Sequence, residues 1–247
     1  RTVFDVTTMG RYLGPRVSEY AQTTDKTVDY HVYPSGKRVI KAFIANDFQF
    51  IGVNGQVITE LSDASIKVVT GVCLTWHIQK NCQNNQKVTL SRDKTNPAIC
   101  PVLATLRLVL RARRLSQLDS MPVACYLKKD TMAYLTGSRI AFHFRAAAKA
   151  VRPNISKEDK QQYSAHLLRV WACVLLDEAG KSPDYIKKRL RWMGDSFRMY
   201  LRDTHVIQDQ HREALQASSE EVMDIVGALP DDILRLSTMS DGTAAGN

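Results

Sequence analysis

Two residues three positions apart, His166 and Arg169, open the question of what this chain does. On a helix they share a face. The apolar positions Leu168, Trp171, Ala172, Leu175, Leu176 and Ala179 recur at the helical period. The pair is offset from that stripe, so the expectation is an imidazole and a guanidinium turned together toward an anion. Arg16 has a similar prospect. It follows Gly14-Pro15, which ends one helix and suits the first position of another, so Arg16 is expected in a first helical turn beside unpaired backbone N–H groups. Its structural alternative is a surface ion pair with Glu19 or Glu60. Trp192 offers an indole N–H, a donor only, and Tyr200 a phenol. Taken singly, His166 also fits a satisfied buried histidine, Trp192 a core aromatic, and Tyr200 a helix position packed beside Phe197.

The elements that must hold these residues follow from pattern and punctuation. Val3–Leu13 is expected to be a helix. Val39–Ile44 and Phe48–Val53 read as short strands broken by Asn-Asp and Asn-Gly turns. Val72, Leu74, Trp76 and Ile78 alternate with polar neighbours, giving a period-2 strand. Residues 80–86 form its polar turn, with Lys80 at one flank and Lys87 at the other, and residues 87–90 return. Pro101–Leu115 is a helix bearing Arg107, Arg111, Arg113 and Arg114, read as a solvated basic face open to nonspecific phosphate contacts. Val123–Leu127 is a short strand, and Thr136–Ala150 a helix capped by Thr136 or Ser138. Residues 153–160 form a loop. Gly180 closes the His166 helix, Lys181 suits its C-terminus, and Ser182-Pro183 starts the next.

The formal net charge of +9 over 247 residues directs attention to a polyanionic partner. The longest apolar run, Val170–Leu176, is far short of a membrane span, and the N-terminus has no signal-peptide pattern. Five cysteines without a Cys-x-x-Cys pair suit free thiols in a reducing compartment and indicate no zinc site. Histidines show no ligand spacing, and there is no P-loop. The chain starts at Arg1 directly in a helical pattern, as a piece of a longer protein would.

In order and context, these residues resemble the catalytic domain of the tyrosine recombinases, the phage-integrase family. The resemblance covers the chain from Met9 to about Asp203. Leu13-Gly-Pro-Arg16-Val-Ser-Glu19 resembles the family's first-arginine box, and Lys80 at a hairpin tip resembles its catalytic lysine, with Lys87 as the alternative register. His166-Leu-Leu-Arg169 is similar to the His-x-x-Arg box. Trp192 stands in the slot held by His or Trp, and Tyr200 in that of the nucleophile. Arg-Val-Trp followed by Arg-Trp-Met-Gly-Asp-Ser-Phe-x-x-Tyr resembles recombinases of DIRS-like or Crypton-like eukaryotic elements. Two departures stand out: Trp192 to Tyr200 is one residue shorter than the commonest interval, and Pro15 precedes the arginine.

The resemblance implies an α+β, mainly α-helical fold with a small antiparallel sheet and hairpin at one edge. It implies a catalytic domain over residues 1–204 followed by a helix that docks in trans on a neighbouring protomer; helical periodicity places a C-terminal helix over 205–229, which docks so or folds back on its own domain, and the polar composition of 230–247 reads as a disordered tail. On that resemblance, the family's N-terminal core-binding domain is expected to lie outside residues 1–247. The implied activity is breakage and rejoining of double-stranded DNA through a 3′-phosphotyrosine, without metal, ATP or other cofactor, by a homo-oligomer on DNA inside the cell, in the nucleus if the host is eukaryotic. In that scheme Arg16 and Arg169 stabilise charge growing on the nonbridging oxygens. His166 and Trp192 assist, Lys80 is the candidate general acid, Tyr200 attacks, and Glu19 supports Arg16. The alternatives are a domesticated or decayed mobile-element protein that binds DNA without cleaving it, and a type IB topoisomerase-like enzyme.

Overall fold

The computed structural model of the protein describes residues 1–79 and 84–201. The chain divides into two units, Arg1–Phe197 and Arg198–Asn247. Lys80, Cys82, the expected helix over 205–229 and the expected tail over 230–247 lie outside the described residues.

The first unit is α+β. Helix α1 (Thr2–Leu13) buries Val6, Met9 and Leu13, one stripe at helical spacing. Gly14 ends it in the left-handed region, φ 53°, with its N–H on the Gly10 carbonyl at 2.8 Å. A side chain at Gly14 would be strained at this φ and would also come within 2.8 Å of the Leu190 side chain, which would have to shift. The helix expected to follow Pro15 is replaced by a three-residue 3-10 turn, Val17–Glu19, with Arg16 in extended conformation as its N-cap. The Glu19 carboxylate reaches back to the Arg16 N–H at 2.7 Å, a capping contact at the start of the turn.

Three antiparallel sheets follow. β1 (Tyr30–Val32) and β2 (Arg38–Ile40) form a two-stranded ribbon. β3 (Phe48–Gly52), β4 (Val57–Ile58), a one-turn helix α2 (Ser65–Val68), β5 (Val69–Trp76) and β6 (Gln86–Ser91) come next, with the strands ordered β4-β3-β5-β6. Along β5 the alternation places Val72, Leu74 and Trp76 in the core. Helix α3 (Pro101–Arg114) packs on α1 and on the sheet. β7 (Cys125–Lys128) and β8 (Thr131–Tyr134) make the third sheet. Lys129 and Asp130 both have positive φ in the connecting turn, the geometry a two-residue hairpin needs but not the usual Asn-Gly wording, so β8 is unmarked in the sequence.

The arginines of α3 are each paired with a carboxylate, and of the four Arg114 is the exposed one. Arg107 and Arg111 both bond the buried Asp5 of α1 at 2.7 Å, Arg113 bonds Asp119 at 2.7 and 2.9 Å, and Arg114 pairs with Asp63.

Helix α4 (Gly137–Val151) starts at Thr136, whose hydroxyl accepts the Arg139 N–H. The stretch 153–160, expected as a loop, includes the start of a short helix α5 (Lys157–Gln162), capped by Ser156. α6 (Leu167–Glu178) has His166 as its N-cap, and α7 (Pro183–Arg189) opens on a Ser182 hydroxyl that accepts the Tyr185 N–H. A core of Val6, Met9, Trp76, Leu106, Leu135 and Leu168, among others, joins the helices to the four-stranded sheet. Among the described residues no helix is long and apolar enough to cross a membrane.

Candidate functional site

The site is organised by a residue whose role the sequence does not announce. α7 ends in a Schellman motif: the Trp192 N–H bonds the Lys187 carbonyl at 2.9 Å, and the Arg191 N–H bonds the Lys188 carbonyl at 3.3 Å. The same motif ends α6, where Gly180 takes the left-handed position. In α7 that position falls on Arg191, φ 59°, a conformation unfavourable for a residue with a Cβ. It turns the arginine inward. Arg191 is 3% exposed; its two terminal nitrogens bond the Glu19 carboxylate oxygens at 3.2 Å each, and Nη1 also bonds Gln79 Oε1 at 3.1 Å. Its Cζ lies 3.2 Å from the centre of the Trp76 ring. Burial pulls the guanidinium below its ordinary pKa, and the Glu19 carboxylate opposes that shift.

Glu19 is thereby a hub. It is 4% exposed and binds the Arg16 N–H at 2.7 Å, the Arg16 Nη1 at 3.2 Å, and Arg191. The expected anion site at a helix start is therefore already held by the protein's own carboxylate. What Glu19 does instead is fix the half-buried Arg16 guanidinium. Arg16 lines a cleft of about 360 Å³ together with His31, Tyr33, Lys41, Gln79 and Asn84. Gln79 and Asn84 flank residues 80–83, so Arg16 and the base of the hairpin share one concavity, with Lys41 as a second cation. Lys87 does not line it: it is exposed on β6 opposite Thr75.

The geometry of His166 and Arg169 differs from the expected shared face. Arg169 is 2% exposed and belongs to the buried side of α6, with Leu168 and Ala172. It donates to the Gly14 carbonyl at 2.6 Å and to the Leu190 carbonyl at 2.9 Å, and its Cζ lies 4.2 Å from the centre of the Trp192 ring. It thus ties the end of α1 to the end of α7, satisfying carbonyls that helix termini leave open. His166 is exposed at the N-cap of α6, where burial and the Arg169 charge both lower its pKa and favour the neutral ring. Trp192 packs on Phe197, ring centres 6.3 Å apart. Tyr200 ends the 3-10 helix Asp195–Tyr200 and belongs to the second unit.

Below the cleft, His77 is held at both ring nitrogens, Nδ1 by Asp47 at 2.6 Å and Nε2 by the Ile40 carbonyl at 2.7 Å. Asp47 repeats the Glu19 device, reaching back to the Ile44 N–H at 2.8 Å. Burial works against charge on the imidazole, yet its bonds to Asp47 and Ile40 raise its pKa overall; burial raises that of Asp47. This pair fastens the β1–β2 ribbon, which carries His31 at the rim of the cleft, to the end of β5.

Comparison with family models, curated proteins and solved structures finds no match to this chain. The geometry speaks for itself. The structure brings Arg16, Glu19 and the hairpin base together, packs Arg169 against Trp192, and joins the two groups through consecutive residues, Arg191 and Trp192. Sequence reasoning missed Arg191, Asp47, His77 and Lys41. One signal for Arg191 was available: α7 ends with neither Gly nor Asn in the left-handed position, so an unsuited residue must occupy it.

Proposed function

We propose that the chain is a tyrosine-recombinase-type catalytic core that breaks and rejoins duplex DNA through a covalent 3′-phosphotyrosine, working as a homo-oligomer on DNA and requiring no cofactor. The phenolic oxygen of Tyr200 attacks phosphorus, its proton passes to His166, and the bond to the 5′ oxygen breaks. The leaving oxygen takes a proton from Lys80. Arg16 stabilises the charge that builds on the nonbridging oxygens, with Arg169 and Trp192 completing the phosphate site. The observation that carries this reading is the Arg16–Glu19–Arg191 cluster beside Gln79, which draws the first-arginine segment, the hairpin base and the residue before Trp192 to one place. The lowered pKa of His166 suits an acceptor for the phenolic proton at neutral pH.

One observation favours a second reading, a DNA-binding protein that does not cleave. Two nitrogens of Arg169 are committed to main-chain carbonyls, which limits what it offers a phosphate. Incubation of the chain with a duplex nicked next to the cleavage point separates the two. The expected result is a denaturant-resistant protein–DNA adduct that disappears in Tyr200→Phe. Salt-dependent DNA binding without adduct selects the non-cleaving reading, and relaxation of supercoils by a monomer without strand exchange selects a type IB topoisomerase-like activity.

A further inference from the structure

A second cleft, of about 440 Å³, opens between the start of α1, the C-terminal end of α3, β7 and the first turns of α4. Its volume falls in the range of small-molecule sites, roughly 300 to 1,000 Å³. Three arginines line it, Arg1, Arg111 and Arg139, with His143 and Tyr126 beside them. Among the described residues no carboxylate lines it. Leu115, Leu127 and Leu135 give it apolar walls.

The positive charge here is only partly neutralised from behind. Asp5 is shared between Arg107 and Arg111, one carboxylate for two guanidiniums. Arg111 Nη1 is buried and, among the described residues, has no hydrogen-bond partner. A buried donor in that state costs stability unless an acceptor reaches it. Arg139 has no ion-pair partner among the described residues; its guanidinium stands 5.6 Å from the centre of the Tyr126 ring, which faces the same cleft. Burial, and after it the Arg139 charge, press His143 toward its neutral form.

We propose that this cleft binds a phosphate monoester with an apolar or aromatic body, a ligand of the nucleotide class. A dianion offsets two guanidiniums more fully than a single carboxylate does, planar guanidiniums match phosphate oxygens, and the neutral His143 ring can donate one N–H. The leucine walls and the Tyr126 ring receive the organic part, which inorganic phosphate lacks. The phosphate can belong to a free nucleotide or to the end of a nucleic-acid strand. The inference stands on this cleft and does not depend on the recombinase reading.

Calorimetric titration of the whole chain with adenosine 5′-monophosphate, adenosine and inorganic phosphate tests it. The monophosphate is expected to bind at least about tenfold more tightly than either fragment, and Arg139→Gln to lower its affinity about tenfold. Arg139 is exposed and makes no structural ion pair, so the thermal melt of that variant should be unchanged. His143→Gln serves as a second variant with the same expected direction. A 5′-phosphorylated oligonucleotide that binds more tightly than both the monophosphate and its 5′-hydroxyl counterpart identifies a strand end as the source; a tighter monophosphate identifies a free nucleotide. Equal affinity for adenosine and its monophosphate, unchanged affinity in both variants, or no binding by any phosphorylated probe overturns the proposal.

Discussion

Both terminal nitrogens of Arg191 grip the Glu19 carboxylate at 3.2 Å, across 172 positions of sequence, in a site almost closed to water. Removing one partner of such a pair leaves the other charged and buried, at about 3–5 kcal/mol. Arg191→Met should lower unfolding stability by that order in urea denaturation, and Glu19→Gln combined with it should recover part of the loss. Arg191→Gly should cost less than Arg191→Ala, because both remove the side chain and only glycine relieves the left-handed backbone, by about 1 kcal/mol. Equal losses in the two variants would contradict the assigned strain.

Arg169 is expected to behave as a structural clamp first. Arg169→Met deprives the Gly14 and Leu190 carbonyls of their donor, at about 1–3 kcal/mol for each group left unsatisfied. Arg169→Lys keeps the charge but cannot fork to two carbonyls, so it should recover little in the same denaturation measurement.

The His77–Asp47 pair predicts a pH dependence of stability. His77 has a folded-state pKa above its ordinary 6.5, so the folded chain holds that proton more tightly than the unfolded chain. Its contribution is complete below 6.5 and is lost as the pH rises through the raised value. Melting temperature should therefore fall as the pH rises above 6.5. His77→Gln should remove that part of the slope; an unchanged slope would dissociate it from this histidine.

Asp5 joins α1 to α3 through Arg107 and Arg111. Those two side chains are 32% and 20% exposed, so solvent screens part of what they would lose. Asp5→Ala is expected to cost about 2–3 kcal/mol, below the figure for a fully buried pair. Thermal unfolding measures it, with added salt narrowing the difference from the parent chain.

Much of the secondary structure was legible because its signals are local. Gly14 and Gly180 close helices at left-handed positions, Ser182-Pro183 and Thr136 open them, and the alternation along β5 sets which side chains face the core. The helix expected after Pro15 is a three-residue turn although Glu19 caps its start, because Glu19 is drawn inward to the distant Arg191, a pairing that no local signal announces. β8 was missed because Lys129-Asp130 is unusual wording for a tight turn. Of the site, the sequence supplied the residue types and their order. It did not supply the inward turn of Arg169, because helical spacing gives relative faces but not which face is covered.

The sequence by itself determined where α1, α4 and α7 begin or end and which residues carry phosphate-binding chemistry, since caps, glycines and side-chain types act within a few positions. Only the tertiary structure decided which charges are buried and with whom: Arg191 with Glu19, Arg169 with the carbonyls of Gly14 and Leu190, Asp5 with two arginines of α3. Such pairings join residues far apart in the chain. Their energies depend on how completely the surrounding core excludes water, a property that no local pattern encodes.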